Sequence, residues 1–256
     1  MVTIEEIREL GARMKAILGL STSPVGVRFL AAKDPVEGAK MLDRHRYCQA
    51  LMRARHGQNV VLDAGGISCP AAARAFGFRP LPEPLRTGKG LVGFGIVSDE
   101  KVAQEMFEKM PYLEMGAIQQ IHLFPLEKAD QLPDLVVVED EVEKLMWIIL
   151  SNMHARGGER VQSTTAVLQA TCVDSTVIPY LESRLNFSFG CYGCRDATDM
   201  ESGEAVLGFP ASSLPDIVKH LEFLNRKALP HSRGKHAFAA LKKEQEVEQA
   251  ATRSSL

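Results

Sequence analysis

The spacing of hydrophobic and polar residues predicts alternating helices and strands in the first half of the chain. Apolar residues recur at helical spacing from residue 4, directly after a capping-box pair formed by Thr3 and Glu6. Pro70 follows Cys69 and takes the first position of a helix, where proline is favoured. The predicted elements are helices at 4–18, 45–55, 70–77 and 99–110 and strands at 24–30, 60–62 and 91–97, with an extended loop at 79–84.

The second half of the chain shows the same alternation. The apolar run at 135–138 predicts a short central strand, because a strand covered on both faces has few polar positions. The predicted elements are strands at 118–124, 135–138, 161–167, 187–189 and 205–209 and helices at 142–153 and 214–224. From about residue 231 the chain turns polar and charged, which predicts a mobile tail, with a partner-binding helix as the alternative.

This order of elements predicts an α/β fold built from two similar halves, at about 21–115 and 116–230. An N-terminal helix at 1–20 precedes them, and the tail occupies 231–256. Faint matches between the halves place Ser68-Cys69 opposite Thr171-Cys172, which indicates an internal duplication packed around a shared cysteine-lined site. Strand–helix alternation is common, so the alternative that two unrelated α/β halves look alike stays open.

Composition excludes several classes of function. Apolar residues make up 45% and charged residues 24% of the 256 residues, as in globular proteins. The formal net charge is -2 with scattered basic residues, which argues against a nucleic-acid partner. The longest strongly apolar run, 145–150, is far shorter than the roughly 20 residues of a membrane span. Acidic residues near the N-terminus do not fit a secretory signal, so we expect a cytoplasmic protein.

The five cysteines carry the strongest chemical signal. Their odd number fits no simple disulfide framework, and a reducing cytoplasm would leave the thiols free to bind metal. In the run 190–195, Cys191 and Cys194 stand three apart between glycines that let the backbone turn around a cofactor. Such a pair can ligate a metal or cluster, cycle as a dithiol, or be two structural core thiols. The polar sequel at 195–204 is expected to be loop, which favours a metal knuckle over a dithiol oxidoreductase.

The other cysteines extend this interpretation. Cys69 is expected at a helix N-terminus, where free N–H groups and the helix dipole favour the thiolate that metals bind. Cys172 and Cys48 are weaker candidates. Four soft ligands suit zinc or a [4Fe-4S] cluster, and one close pair with three distant single cysteines favours a cluster. The ferredoxin spacing is absent, which excludes a small electron carrier of that class.

Several short motifs resemble the uncharacterised domain of unknown function 169 family, which occurs largely in anaerobic bacteria and archaea. The resemblance spans roughly residues 20–225 and rests on an ordered set of segments: 24–27, 46–50, 68–70, 125–127, 133–137, Cys172 and 190–195. It implies family cysteines at Cys48, Cys69, Cys172 and Cys191, with Gly193 and Arg195 completing the last motif and Cys194 as a departure. The fourth ligand therefore stays open between Cys48, Cys172 and Cys194.

Three functional hypotheses follow from these residues. The first is a protein whose cysteines bind a [4Fe-4S] cluster, with Gly193 and Arg195 beside it, in a redox or cofactor-handling role with an unknown protein partner. The second is a zinc-stabilised binding or scaffold module. The third is a thiol–disulfide enzyme that uses Cys191 and Cys194. The sequence names no substrate or reaction, and it leaves a homo-oligomer open.

Overall fold

A mixed sheet forms the centre of the computed structural model, which describes residues 2–33 and 35–254. Over these residues seven strands pair in the order β2-β3-β4-β1-β5-β7-β6. The strands are β1 (Val25–Leu30), β2 (Lys40–Met41), β3 (Val60–Asp63), β4 (Gln120–Pro125), β5 (Leu135–Glu141), β6 (Asn186–Ser188) and β7 (Glu204–Pro210). The α/β class predicted from the sequence is therefore confirmed.

The first and fifth strands form the middle of the sheet. Strand β1 pairs antiparallel with β4 on one side and with β5 on the other, and only β2 and β3 run parallel. Outward from the β1–β5 pair, the order on one side is β1-β4-β3-β2 and on the other β5-β7-β6. Each side thus contains an inner strand, its antiparallel neighbour and a short third strand, and the two-residue strand β2 extends the first side by one more.

Helices cover both faces of the sheet. Their bounds are α1 (Ile4–Leu18), α2 (Tyr47–Arg55), α3 (Pro70–Ala75), α4 (Glu83–Arg86), α5 (Lys89–Gly93), α6 (Glu100–Glu108), α7 (Val142–Ala155), α8 (Ile178–Glu182), α9 (Tyr192–Ala197), α10 (Leu214–Asn225), α11 (Ala228–Gly234) and α12 (His236–Ser254). A π-helix, Ala170–Val177, runs directly into α8.

Strand β5 separates two hydrophobic cores. Its alternate residues point to opposite faces, so Leu135 and Val137 join one core while Val136 and Val138 join the other. Helices α2 and α3 and the π-helix pack on the first face, and α1, α7 and α10 pack on the second. This two-sided burial explains the uninterrupted apolar run at 135–138.

Local capping signals are confirmed by the structure. The Thr3 hydroxyl accepts from the Glu6 N–H at 3.2 Å, and the Glu6 carboxylate accepts from the Thr3 N–H at 2.8 Å. The Asp99 carboxylate caps α6 by accepting from the N–H of Lys101 and of Val102. Cys69 is the N-cap of α3, as the following proline indicated.

Two predicted strands are wrong. Residues 91–97 do not form a strand, because α5 ends at Gly93 and Gly95 adopts a left-handed φ of 70°. Residues 161–167 form an irregular segment instead of a strand. The periodicity of a short apolar run does not distinguish a helix from a strand or a loop. Both of these runs also contain or adjoin turn-forming residues.

The polar region after residue 230 is helical. Leu229 in α11 is buried, and Arg233 donates to the Leu18 carbonyl at 2.9 Å and pairs with the Glu143 carboxylate at 3.0 Å. The body of the protein therefore extends to α11, beyond the predicted start of the tail. The side chains of residues 236–246 in α12 are exposed, including Phe238.

Gly208 lets the π-helix pack directly on the sheet. It lies in the middle of β7, and a Cβ added there would clash with the carbonyl oxygen of Ser175 in the π-helix. The Ser175 hydroxyl donates to the Ala170 carbonyl at 3.2 Å, and that of Thr176 donates to the Thr171 carbonyl at 2.8 Å. These side chains satisfy backbone acceptors within the wider π-turn.

We expect Gly208→Ala to lower the free energy of unfolding by about 2–3 kcal/mol, because the added methyl group must push two backbones apart. Urea denaturation followed by fluorescence of the single tryptophan, Trp147, measures this change. Gly203→Ala is the matched control, since an added Cβ there meets nothing within 4 Å. Equal stability of the two variants would contradict the close packing of the π-helix on β7.

Candidate functional site

One cavity of about 690 Å³ has all five cysteines in its wall, and we call it the cysteine cavity. Cys48 comes from α2, Cys69 from the N-cap of α3, Cys172 from the π-helix, and Cys191 and Cys194 from the start of α9. Cys172 and Cys194 are buried, and the other three are partly exposed. Four separate chain segments therefore bring thiols to one place.

The remaining wall of the cysteine cavity is largely apolar. Leu85 of α4, Leu91 of α5 and Phe107 of α6 line it. Phe94 and Tyr192 also belong to the wall and are 69% and 58% exposed, so they lie where the cavity meets solvent. The sequence did not predict this wall, because α4 and α5 lie in a stretch expected to be a loop followed by a strand.

Cys191 and Cys194 form a compact turn at the start of a helix. The expectation that residues 195–204 form a loop is confirmed for 198–203 and wrong for 195–197, which belong to α9. Helix α9 begins at Tyr192, follows the short strand β6, and has Cys191 as its N-cap. The Cys194 N–H donates to Cys191 Sγ at 3.4 Å, and the Cys191 N–H donates to Cys194 Sγ at 2.9 Å. The thiol itself thus supplies the capping acceptor that a serine or aspartate usually provides.

These contacts make the two thiols chemically different. The hydrogen bond from Cys194, together with backbone N–H groups, lowers the pKa of Cys191 to about 6. The same hydrogen bond, with burial, raises the pKa of Cys194 well above its ordinary value. Cys194 Sγ also donates to the Cys191 carbonyl at 3.2 Å and contacts Met200 Sδ at 3.8 Å. Cys191 is therefore the thiolate of the pair near neutral pH.

Cys48 and Cys172 lie within electrostatic range of the other thiols. Burial, reinforced by the charges of Cys191 and Cys69, raises the pKa of Cys48 to about 12. Burial and the charges of Cys69, Cys191 and Cys48 likewise raise the pKa of Cys172. Several thiolates at this site would repel one another unless a positive charge balanced them.

The polar residues of the 190–195 motif hold the backbone. Gly193 has no side chain to line the cavity, but its carbonyl accepts a hydrogen bond from Arg46 Nη1 at 3.0 Å. Arg195 donates to the carbonyls of Phe189, Glu201 and Glu204, at 2.6, 2.7 and 3.0 Å. Arg195 therefore ties together the loop that follows the cysteine pair, whereas Arg46 is the arginine in the wall of the cysteine cavity.

Sequence reasoning missed the residues around the π-helix that complete the cavity wall. The Tyr47 hydroxyl lies 3.0 Å from the Thr176 hydroxyl, which joins α2 to the π-helix. Gln169 adopts a left-handed φ of 58° immediately before the π-helix, an uncommon conformation for a residue with a side chain. Thr171 is buried in the wall, and its hydroxyl has no hydrogen-bond partner among the described residues. Nothing in the local sequence signals a π-helix.

A buried ion cluster fixes α2 to the strands beside the cavity. The Arg55 side chain is 3% exposed and pairs with the Glu139 carboxylate on β5 at 3.1 Å and with Glu204 on β7 at 3.8 Å. It also pairs with Asp199, two residues after α9. Burial raises the pKa of Glu139 to about 7, against the opposing effect of Arg55.

Neither a preformed metal site nor a membrane-spanning helix is found in residues 2–33 and 35–254. In that part of the chain, no group of three or more His, Cys, Asp or Glu side chains is arranged to hold a metal ion. No helix of that part is long and apolar enough to cross a bilayer. The assignment of the cysteines as metal ligands stays a prediction.

The fold and the cavity define a mixed α/β protein with an internal cavity lined by free thiols. A family profile for the domain of unknown function 169, described as "Uncharacterised ArCR", matches residues 13–220. The chain belongs to this family, which confirms the resemblance seen in its short motifs.

Neither the family description nor the name of a similar protein gives an activity. The chain is 29% identical over 223 residues to the uncharacterized protein MJ0308 of Methanocaldococcus jannaschii, an alignment that covers 86% of this chain and 95% of that protein. No solved structure matches the chain.

We expect iodoacetamide to alkylate Cys191 first in the reduced, metal-free protein, since the thiolate is the reactive form. The rate should rise with pH and reach half of its plateau near pH 6, the pKa of Cys191. Cys194→Ala removes the main stabilising hydrogen bond and should move this midpoint toward the ordinary thiol value. Peptide mass spectrometry identifies the modified residue. Initial labelling of Cys48 would contradict the assignment.

Proposed function

We propose that this protein binds an iron–sulfur cluster of the [4Fe-4S] type in the cysteine cavity and serves a redox or cofactor-handling role. The observation that carries this proposal is the presence of five free cysteines, from four chain segments, in the wall of one cavity. Thiolates are the ligands that iron–sulfur clusters take from proteins. Free cysteine is often simple core, but five in one cavity with solvent access need another explanation.

The donors match a cluster in number and ligand type, while no three of them are arranged to hold a single ion in the part of the chain that the structure describes. We infer Cys48, Cys69, Cys172 and Cys191 as the ligands, because the charges of Cys69 and Cys191 act on both Cys48 and Cys172, so these four thiols lie near one another in the cavity. Cys194 is a weaker candidate, since its sulfur is already occupied by backbone groups and Met200. A bound cluster would supply the positive charge that offsets the mutual repulsion of these thiolates.

The size of the cavity favours a cluster over a single zinc ion. Tetrahedral zinc binds sulfur at about 2.3 Å, so its four ligands stand only about 3.8 Å apart. A four-iron cluster gives each thiolate its own iron and keeps the sulfurs further apart. A cavity of about 690 Å³ has room for the larger group. Zinc in a binding or scaffold module remains the alternative for the same ligands.

The protein supplies the surroundings that such a cofactor needs. A cluster supplies one-electron transfer when it is bound. The side chains of Leu85, Leu91 and Phe107 give the wall apolar surface, and Arg46 and Asp196 add an ion pair to it. Burial and nearby charge are two of the factors that set a cluster's reduction potential. The exposed rings of Phe94 and Tyr192 offer contact to a protein partner.

We expect the protein purified without oxygen to contain about four iron and four acid-labile sulfide per chain, with broad absorption near about 400 nm. Cys69→Ser and Cys172→Ser should each remove most of this iron, because each deletes one ligand. Elemental analysis and the visible spectrum of the same samples measure the outcome.

Ser151→Ala is the control for this experiment, since Ser151 is a buried small polar residue outside the cysteine cavity. Its iron content should equal that of the unmodified protein. Stoichiometric zinc without colour would replace the cluster with the structural-zinc alternative. Protein that binds neither metal under anaerobic reconstitution would refute the proposal.

A thiol–disulfide enzyme is the second candidate, and α9 favours it. Cys191 lies at the start of a helix that follows a strand, with Cys194 one turn later, as a dithiol oxidoreductase requires. The Cys191 thiolate would attack a substrate disulfide, release one substrate thiolate and form a mixed disulfide. Cys194 would then attack Cys191 Sγ, release the second substrate thiolate and close an internal disulfide. The substrate gains two electrons, and the cysteine pair loses them.

We expect Cys194→Ser to distinguish the two candidates, because it removes the resolving thiol and leaves Cys191 in place. With a disulfide-containing peptide added, non-reducing mass spectrometry would reveal a stable mixed disulfide at Cys191 if the dithiol hypothesis is right. Under our first proposal the variant keeps its iron and traps nothing. Loss of iron in this variant would make Cys194 a ligand.

We also infer that the two halves of the sheet derive from one duplicated unit. The order β1-β4-β3 on one side of the central pair and β5-β7-β6 on the other supports this inference, with β2 as an addition to the first unit. Strand β4, at 120–125, then belongs to the first unit, so the boundary between the units lies after residue 125 and not at the predicted 115. Cys48 and Cys69 then belong to one unit, and Cys172, Cys191 and Cys194 belong to the other. The proposed shared site between the halves would follow from the joining of the two units.

A further inference from the structure

The cysteine cavity contains space and polar groups that the thiols leave unused. Its volume of about 690 Å³ falls in the range of about 300–1,000 Å³ that is usual for small-molecule sites. Leu85, Leu91 and Phe107 form an apolar wall that has no role as ligands to a metal. A purely structural metal centre is normally closed around its ion, whereas this cavity reaches solvent beside Phe94.

Thr171 provides an independent indication of a ligand. Its side chain is 2% exposed, it belongs to the cavity wall, and its hydroxyl has no partner among the described residues. A buried hydroxyl without a hydrogen bond costs about 1–3 kcal/mol. Of the eight buried side-chain atoms without a partner among the described residues, the Thr171 hydroxyl is the one whose residue lies in the cavity wall. Thr176, in the same π-helix, shows the ordinary pattern, because its hydroxyl contacts both Tyr47 and the Thr171 carbonyl.

The polar groups of the cavity wall indicate which chemical group a ligand would place next to Thr171. Arg46 has donors only, and a protonated thiol is also a donor. The Asp196 carboxylate in the wall already faces Arg46 Nη1 at 3.5 Å. Thr171 can donate to an oxygen placed in the cavity. Ser68 and Gln169, which also line the cavity, can donate as well. A ligand with an oxygen acceptor at one end and an apolar body at the other therefore matches the donors and the apolar surface of this wall.

We propose that the cysteine cavity binds a small organic molecule with an apolar body, whose terminal carbonyl, carboxylate or similar oxygen acceptor receives a hydrogen bond from Thr171. This ligand is the substrate class of the proposed cluster site, and to that extent the inference rests on the proposed function. Its binding residues, however, are Thr171 and the apolar wall, so its test does not depend on metal.

Anilinonaphthalene sulfonate is a suitable probe, because it joins an apolar ring system to an anionic oxygen acceptor. Titration calorimetry of the anaerobically purified protein should give one saturable site per chain. Thr171→Val keeps the shape of the side chain and removes the hydroxyl, and it should weaken binding by about threefold to tenfold. It should leave the urea midpoint unchanged or raise it, because the hydroxyl lost has no partner in the described protein.

Two controls and a second variant complete the test. Ser151→Ala removes another buried hydroxyl without a described partner, outside the cavity, and should not change probe binding. Thr176→Val should lower the urea midpoint, because its hydroxyl is bonded. Leu85→Glu places a negative charge on the apolar wall at a half-buried position and should abolish binding of the anionic probe.

Several outcomes would overturn the inference. These are unsaturable binding, equal affinity of the Thr171→Val and unmodified proteins, or a urea midpoint of Thr171→Val as low as that of Thr176→Val. Iron assayed in the same samples separates this inference from the proposed function. Probe binding without iron would refute the cluster and support the ligand site. Iron without probe binding would support the cluster and refute the ligand site.

Discussion

The buried charge of Arg55 is the constraint on which the cysteine cavity depends. Arg55 is the last residue of α2, the helix that carries Cys48, and its guanidinium pairs with carboxylates on β5, on β7 and just after α9. A charge this deeply buried is tolerated only while its partners stay in place, so each partner fixes the position of the others. The cluster thus holds the segment of Cys48 against the segment of Cys191 and Cys194.

The sheet and most of its helices follow from local patterns in the sequence. The capping pair at Thr3, the Asp99 cap and the apolar run of β5 each report a local constraint, which periodicity and residue type reveal directly. The failures at 91–97 and 161–167 have a different origin. Most residues of both runs are exposed or only half-buried, so neither run has the buried face that holds a strand in a sheet. A left-handed turn at Gly95 interrupts the first run, and hydrogen bonds to Asn186 and Phe187 hold the second.

The site could be predicted only as a set of residues. The sequence identified the five cysteines as the candidates, and the structure shows all of them in one cavity wall. It could not identify the apolar wall from α4 to α6 or the role of Arg195, which binds three carbonyls. It also misjudged α9, because a helix capped by a cysteine thiol resembles a polar glycine-containing loop when read along the chain.

The π-helix gives this cavity an unusual kind of adaptability. A π-turn contains one residue more than an α-turn, so it equals an α-helix with a single inserted residue. Deleting one residue between Ala170 and Val177 would restore ordinary winding and rotate the remaining side chains by about a quarter-turn around the axis. Such a deletion would change which side chains of the π-helix face the cavity. The chemistry of this wall therefore depends on a single residue of chain length, while the sheet beneath it stays the same.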